Sequence, residues 1–153
     1  MIEEGKKAPA FKLKTDGGGE ISLSALKGKN AVVYFYPKDD TPGCTTEAID
    51  FSALKSKFDA CDTVIIGISK DSVSRHDSFK NKHKLKLILA ADEAAEVIEK
   101  FGVWVLKQNY GKEYMGIERS TFLIDAKGIV RKIWRKVRVN GHAQDVLVAA
   151  KEL

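Results

Sequence analysis

Two apolar runs, Ala31-Val32-Val33-Tyr34-Phe35-Tyr36 and Thr63-Val64-Ile65-Ile66-Gly67-Ile68-Ser69, frame a segment of helical periodicity, and this arrangement leaves few folds open. The second run is continuously apolar and β-rich, as in a strand buried on both faces. Between the runs, Ala48, Phe51, Leu54 and Phe58 recur at three- and four-residue steps, which predicts one helix from about Pro42 to Asp59. Two apolar strands joined by a helix require a right-handed βαβ crossover.

The rest of the chain extends that unit. Gly17-Gly18-Gly19 separates the strand-like pieces Phe11–Lys14 and Glu20–Leu23 and reads as a hairpin turn. A phosphate loop would need Gly-Lys-Ser/Thr opening a helix, which is absent. A helix is expected from Ser72 to about His83, a short strand at Leu87–Leu89 and a helix from roughly Glu93 to Phe101. Ser120–Ile124 and Ile129–Trp134 flank Asp125-Ala126-Lys127-Gly128 as a hairpin, and Ala143–Leu153 closes the chain as an amphipathic helix. The expected class is α/β, of thioredoxin-like order, with a mixed central β-sheet and helices on both faces. One domain is expected over 1–153.

Charge and hydropathy exclude several functions. No apolar run approaches the ~18–20 residues of a membrane span, and the first residues lack the hydrophobic core of a secretory signal. The expectation is a cytoplasmic protein with no membrane partner. The formal charge is +5, but the basic residues are dispersed. Only Arg131–Arg138 is dense; it alternates like an exposed strand with one basic face, and no nucleic-acid motif accompanies it. No nucleic-acid partner is expected.

The chemistry concentrates in Pro37-Lys38-Asp39-Asp40-Thr41-Pro42-Gly43-Cys44, which joins the first apolar run to the helix. Thr41 suits the N-cap and Pro42 the first helical position, which puts Cys44 third. If Cys44 is itself the cap, with Glu47 three residues on, it still lies in the first turn. A thiol there meets unpaired backbone N–H groups and the positive end of the helix dipole, which favour the reactive thiolate. An inert, space-filling cysteine is the alternative; the polar neighbours and the Pro-Gly loop argue against it. The only other cysteine is Cys61. There is no C-x-x-C, and the spacing suits neither a disulfide scaffold nor a zinc site, so neither metal nor cofactor is expected. His76 and His83 could share a helix face and read as surface residues, and His142 reads as a cap or surface residue.

Pro-x-x-x-Thr-x-x-Cys, here Pro37, Thr41 and Cys44 within Thr-Pro-Gly-Cys-Thr-Thr-Glu, resembles the peroxidatic motif of peroxiredoxins. The form is similar to the Q-type, or bacterioferritin-comigratory-protein, subfamily. The similarity continues through Ile66–Ser72, Tyr110-Gly111-Lys112 and Gly116–Asp125 to Gly141-His142, and so spans nearly the whole chain. The resemblance implies a thiol-dependent peroxidase that reduces hydrogen peroxide and organic hydroperoxides. It implies that Cys44 becomes a sulfenic acid, that Thr41 holds the peroxide and the thiolate, and that Arg119 supplies positive charge to sulfur and leaving oxygen. Pro37 would shape and shield the pocket, and Glu47 would orient Arg119. Without the resemblance, Arg119 reads as a strand-edge surface charge.

The chain departs from that pattern where many Q-type relatives carry a resolving cysteine; here those positions hold Ile49 and Lys80. A continuous helix after Cys44 would put Cys61 roughly 25 Å away at 1.5 Å per residue, beyond the ~7 Å between Cα atoms that a disulfide spans. The expectation is a one-cysteine cycle completed by thioredoxin or by glutathione with glutaredoxin, in a monomer or weak homodimer. The rival readings are a thiol-disulfide oxidoreductase, a Cys-His hydrolase using His76, His83 or His142, and a basic binding module.

Overall fold

In the computed structural model, which describes residues 2–153, the two apolar runs lie side by side as parallel strands with helix crossing between them. The chain begins with β1 (Lys12–Thr15), β2 (Glu20–Ser22), β3 (Asn30–Phe35), α1 (Pro42–Ala53) and α2 (Lys55–Ala60). It continues through β4 (Thr63–Ser69), α3 (Val73–His83), β5 (Ile88–Ala91) and α4 (Glu96–Lys100). It ends with β6 (Trp104–Asn109), β7 (Lys112–Ile117), β8 (Ser120–Ile124), β9 (Val130–Trp134) and α5 (His142–Lys151).

Seven strands form one mixed sheet in the order β2-β1-β5-β4-β3-β8-β9. The β3–β4 and β4–β5 pairs are parallel, and β1 and β8 join antiparallel to β5 and β3. Because β3 is paired on both edges and packed on both faces, its residues Ala31 to Phe35 are all buried. That is why its sequence does not alternate. Val32, Tyr34 and Tyr36 point into a core shared with Phe51, Phe58, Phe79 and Leu147 of α1, α2, α3 and α5. Ala31, Val33 and Phe35 face the opposite core, with Ile98 of α4, Phe101 and Phe11. The sheet is thus covered on both faces, as expected, with most of the helix on one of them.

Three expectations need correction. The helix predicted over Pro42–Asp59 is interrupted at Leu54, whose ψ of 5° leaves the helical region. The side chain of the preceding Ser52 accepts a hydrogen bond from Lys86 N (3.0 Å), a tertiary contact with no local signature. The helix predicted from Glu93 shortens to Glu96–Lys100, because Ala95 takes a left-handed φ of 59° and the buried Asp92 carboxylate accepts from Ile98 N at 2.8 Å. The dense basic segment is a strand only to Trp134; beyond it the chain turns back, and Val137 N donates to the Arg119 carbonyl at 2.9 Å.

Residues 104–117, given no local structure above, form an antiparallel hairpin of their own, β6–β7. Its turn is Tyr110-Gly111, with φ of 52° and 78°, the doubly positive pair of a type I′ turn. The hairpin ends where Glu118 N donates to Val103 O (2.8 Å), one residue before Arg119.

Tyr34 lies opposite Gly67 in the β3–β4 register, and its ring crosses the glycine so closely that a Cβ there would sit 2.8 Å from ring and hydroxyl atoms. The same ring stacks on Phe51 of α1 at 4.8 Å. Gly67→Ala should therefore destabilise the fold by roughly 1–3 kcal/mol through overpacking, read as a lower urea midpoint at unchanged m-value.

Candidate active site

The loop from β3 to α1 starts at Pro37. Lacking an N–H, Pro37 cannot extend the ladder whose last bond runs from Tyr36 N to Ile68 O (3.2 Å). Pro37 itself is exposed, just past the strand end. Thr41 is the N-cap of α1 and Pro42 its first residue, so Cys44 is third. The cap differs from expectation in one respect. The Thr41 hydroxyl does not bond the helix; it donates backward to the Lys38 carbonyl at 2.8 Å. The first-turn N–H groups of α1 are therefore left without a capping side chain among the described residues, beside the cysteine.

Cys44 and Glu47 are three residues apart on α1, so both project from the same buried face as Ala48 and Phe51. Arg119, between β7 and β8, reaches this face from the other side of the loop. Its Nη2 donates to Cys44 Sγ at 3.4 Å and its Nη1 to Glu47 Oε1 at 2.7 Å. One planar guanidinium thus spans sulfur and carboxylate. Gly43 leaves room for that approach: a Cβ there would lie 3.2 Å from Arg119 Nη2, so the guanidinium would have to give by a few tenths of an ångström. Cys44, Glu47 and Arg119 are brought together as expected, and Arg119 is no strand-edge surface charge; its side chain is only 18% exposed.

Burial pushes the Glu47 carboxyl up to about 7 against the opposing pull of Arg119, and its Oε2 has no hydrogen-bond partner among the described residues. Burial alone would lower Arg119, but Glu47 and Cys44 outweigh it and raise it, so it stays cationic. A second cation is near. Lys107 of β6 lays its stem over Gly116 and is held below the usual lysine range by burial and by Arg119, with Cys44 and Glu118 pulling the other way. No sequence motif marks it.

The histidines correct the sequence reading. His76 is fully buried, with Nδ1 2.6 Å from Asp39 Oδ2 and Nε2 2.9 Å from the Ala90 carbonyl. His83 does share its face of α3 and meets Asp40 Oδ1 at 2.8 Å, half-buried rather than on the open surface. His142 is buried against Phe51 and Trp134, and its Nε2 lies 2.7 Å from Thr121 Oγ1. Burial, with help from Arg119, lowers it to about 4, so it is neutral at pH 7. All three are engaged elsewhere and none hydrogen-bonds Cys44, which removes the geometry a Cys-His hydrolase needs. Asp39, Asp71 and His76 are close enough to hold a metal ion, but their donor atoms are already committed to protein partners.

Residues 4–133 match the AhpC/TSA family. Peroxiredoxin Bcp of Bacillus subtilis is 53% identical over 99% of this chain and 97% of its own. The chain is a peroxiredoxin of the AhpC/TSA family. Peroxiredoxin Bcp of Escherichia coli K12 is 36% identical over 99% of this chain and 97% of its own. Among solved structures, the bacterioferritin comigratory protein of Xanthomonas campestris superposes with a TM-score of 0.89 at 46% identity, covering 93% of this chain and 90% of that one. A cysteine-to-serine mutant of Xylella fastidiosa PrxQ superposes with a TM-score of 0.95 at 36% identity, covering 99% and 97%. The peroxiredoxins are thiol peroxidases, so the expected fold, family and reaction class hold. No helix among the described residues is long and apolar enough to cross a membrane.

Two measurements check this site. A carboxyl at about 7 in the fold but near 4.5 when unfolded stabilises the fold below pH 4.5 and loses that contribution as pH rises through 7. The gap of about 2.5 units sets a ceiling on the order of 3 kcal/mol. Glu47→Gln should therefore gain stability relative to the parent between pH 4.5 and 7.5 in urea melts; a constant difference would contradict the shift. Gly43→Ala, which crowds Arg119 Nη2, should lower the peroxide rate constant severalfold at most, with little change in melting temperature.

Proposed function

We propose that Cys44 is the peroxidatic nucleophile of a one-cysteine cycle, in which Arg119 stabilises charge, Thr41 receives the hydroperoxide and Glu47 orients Arg119. The observation that carries it is the single guanidinium shared between Cys44 Sγ and Glu47. The Cys44 thiolate attacks the terminal oxygen of ROOH; an S–O bond forms, the O–O bond breaks and RO⁻ leaves, taking a proton to become ROH. Arg119 lies where charge sits on sulfur before attack and passes to oxygen during it, and fixed donors of this kind favour the transition state. The Thr41 proton is committed to Lys38 O, so its lone pairs are free to accept the hydroperoxide O–H. Pro37, exposed just before the Lys38 carbonyl, would shape and shield the approach to Thr41 and Cys44. The Xanthomonas campestris relative is described as reducing alkyl peroxides, and we extend organic hydroperoxides, with hydrogen peroxide, to this chain.

An external thiol then attacks the sulfenic acid, releasing water and leaving a mixed disulfide that a second thiol reduces. Three observations support an external source. Ile49 is exposed and carries no thiol; Lys80 is paired with Asp16 at 2.7 Å; and Cys61, which ends α2, directs its Sγ to Phe58 O at 3.3 Å. Moreover, the Cys61 carbonyl accepts from Asn30 Nδ2 (3.4 Å) at the start of β3, whereas Cys44 follows its end. Six residues at ~3.3 Å each separate those ends by roughly 20 Å. Thioredoxin or glutathione with glutaredoxin would supply the thiol, which suits a reducing compartment such as the cytoplasm. Since Cys44, Glu47 and Arg119 belong to one chain, a monomer or weak homodimer suffices, and we read 1–153 as one catalytic domain.

Cys44→Ser should abolish peroxide consumption, whereas Cys61→Ser should retain it within about twofold, in stopped-flow assays with each reductant supplied alone. Mass analysis after one equivalent of peroxide should show sulfenic acid or its mixed disulfide on Cys44. An intramolecular 44–61 disulfide as the main product would overturn the one-cysteine cycle.

A further inference from the structure

The Lys38–Asp39 peptide group joins the Thr41 hydroxyl to residues outside the peroxidatic motif. Its carbonyl accepts from Thr41 Oγ1 at 2.8 Å, and its N–H donates to Asp71 Oδ2 at 2.8 Å. Because a peptide unit is planar, fixing its N–H direction fixes its C=O direction. The orientation of the Thr41 hydroxyl is therefore set from Asp71, just past the end of β4.

Asp71 is itself held. Its Oδ2 accepts from Ser69 Oγ at 2.7 Å, its backbone N donates to Ser69 Oγ at 3.1 Å, and Arg75 Nε lies 3.1 Å from Oδ1. The Asp39 side chain holds the same residue through a second set of contacts. It is buried, with Oδ1 accepting from Tyr36 Oη at 2.5 Å and Oδ2 meeting His76 Nδ1 at 2.6 Å. His76 Nε2 faces the Ala90 carbonyl, which only accepts, so Nε2 carries a proton. Both ring nitrogens of His76 are thus engaged, one by the Ala90 carbonyl and the other by the Asp39 carboxylate. Burying such a pair is tolerable because every one of these atoms has a partner, and breaking it would leave several without one. Beyond it Asp40 turns the chain at a left-handed φ of 60°, with its carboxylate on Lys82 (2.7 Å) and His83 (2.8 Å).

We propose that Asp71 and the Asp39–His76 pair are positioning residues that act on the peroxidase reaction through the Thr41 hydroxyl, by holding the Lys38–Asp39 peptide plane. The inference rests on the reading of Thr41 as the group that receives the hydroperoxide. Neither Asp71 nor His76 needs to touch sulfur or substrate. Their effect should fall on peroxide attack and not on the availability of the Cys44 thiolate, which Arg119 and the helix start support independently.

A double-mutant cycle separates this from general structural damage. Single-turnover consumption of tert-butyl hydroperoxide is followed by stopped flow in the parent, Asp71→Ala, Thr41→Val and the double variant, alongside alkylation of Cys44 by iodoacetamide. Asp71→Ala should slow peroxide attack about tenfold in the parent and less than twofold when Thr41 is already valine. Alkylation should stay within twofold, and Asp71→Asn, which keeps an acceptor oxygen, should recover most of the rate. An unchanged peroxide rate, the same factor in both backgrounds, or a parallel fall in alkylation would each overturn the inference. If Asp71→Ala does not fold, His76→Gln is read in the same cycle by the same criteria. A parent protein that fails to consume one hydroperoxide per Cys44 would instead overturn the proposed function.

Discussion

The guanidinium of Arg119, only 18% exposed, holds two acceptors at once, a sulfur at 3.4 Å and a carboxylate oxygen at 2.7 Å. Much of the structure follows from that one placement. A charged group so placed needs fixed partners, because in a poorly solvated site an unmatched charge is costly. Glu47 provides one from the buried face of α1, and burial holds it so near neutrality that Arg119 is not fully cancelled. The remaining positive charge is what a thiolate at Cys44 can use. Gly43 eases the same geometry, as the residue over which the guanidinium passes.

Arg119 can occupy that position because its backbone is fixed from two directions. Glu118 N is tied to Val103 where the β6–β7 hairpin ends, and the Arg119 carbonyl is tied to Val137 where the chain returns from β9. The sheet edge and the hairpin thus act as a mount for one side chain. The opposite wall, the loop from Pro37 to Thr41, is mounted on β4 and α3 through Asp71, His76 and His83. Cys44 lies between two independently anchored walls, an arrangement that holds the donors around it in place.

Both strands of the βαβ unit, the helix start at Cys44 and the β8–β9 hairpin were legible because each is a local pattern: apolar runs, helical steps, a cap followed by proline, a turn glycine. The break at Leu54, the shortened α4 and the β6–β7 hairpin were not legible. Each depends on a tertiary contact or on positive φ at a residue that seldom adopts it, such as Ala95 or Tyr110. The histidines show the same limit. His76 sits in a polar, lysine-rich helix and reads as solvated, yet it is fully buried because Asp39, 37 residues earlier, reaches it beneath the loop.

The amino-acid sequence alone established the βαβ unit, the β8–β9 hairpin, a cysteine in the first turn of a helix and side chains other than thiols at positions 49 and 80. Those properties are carried by neighbours along the chain and by residue identity. Packing decided that Arg119, 75 positions from Cys44 and marked in the sequence only by the family resemblance, donates to its sulfur, that Thr41 turns its hydroxyl away from the helix it caps, and that Asp39 and His76 form a buried pair. The reason is physical. Such contacts stabilise only when both partners are desolvated and held rigidly, and those conditions arise when the sheet and helices pack, not from the local run of residues.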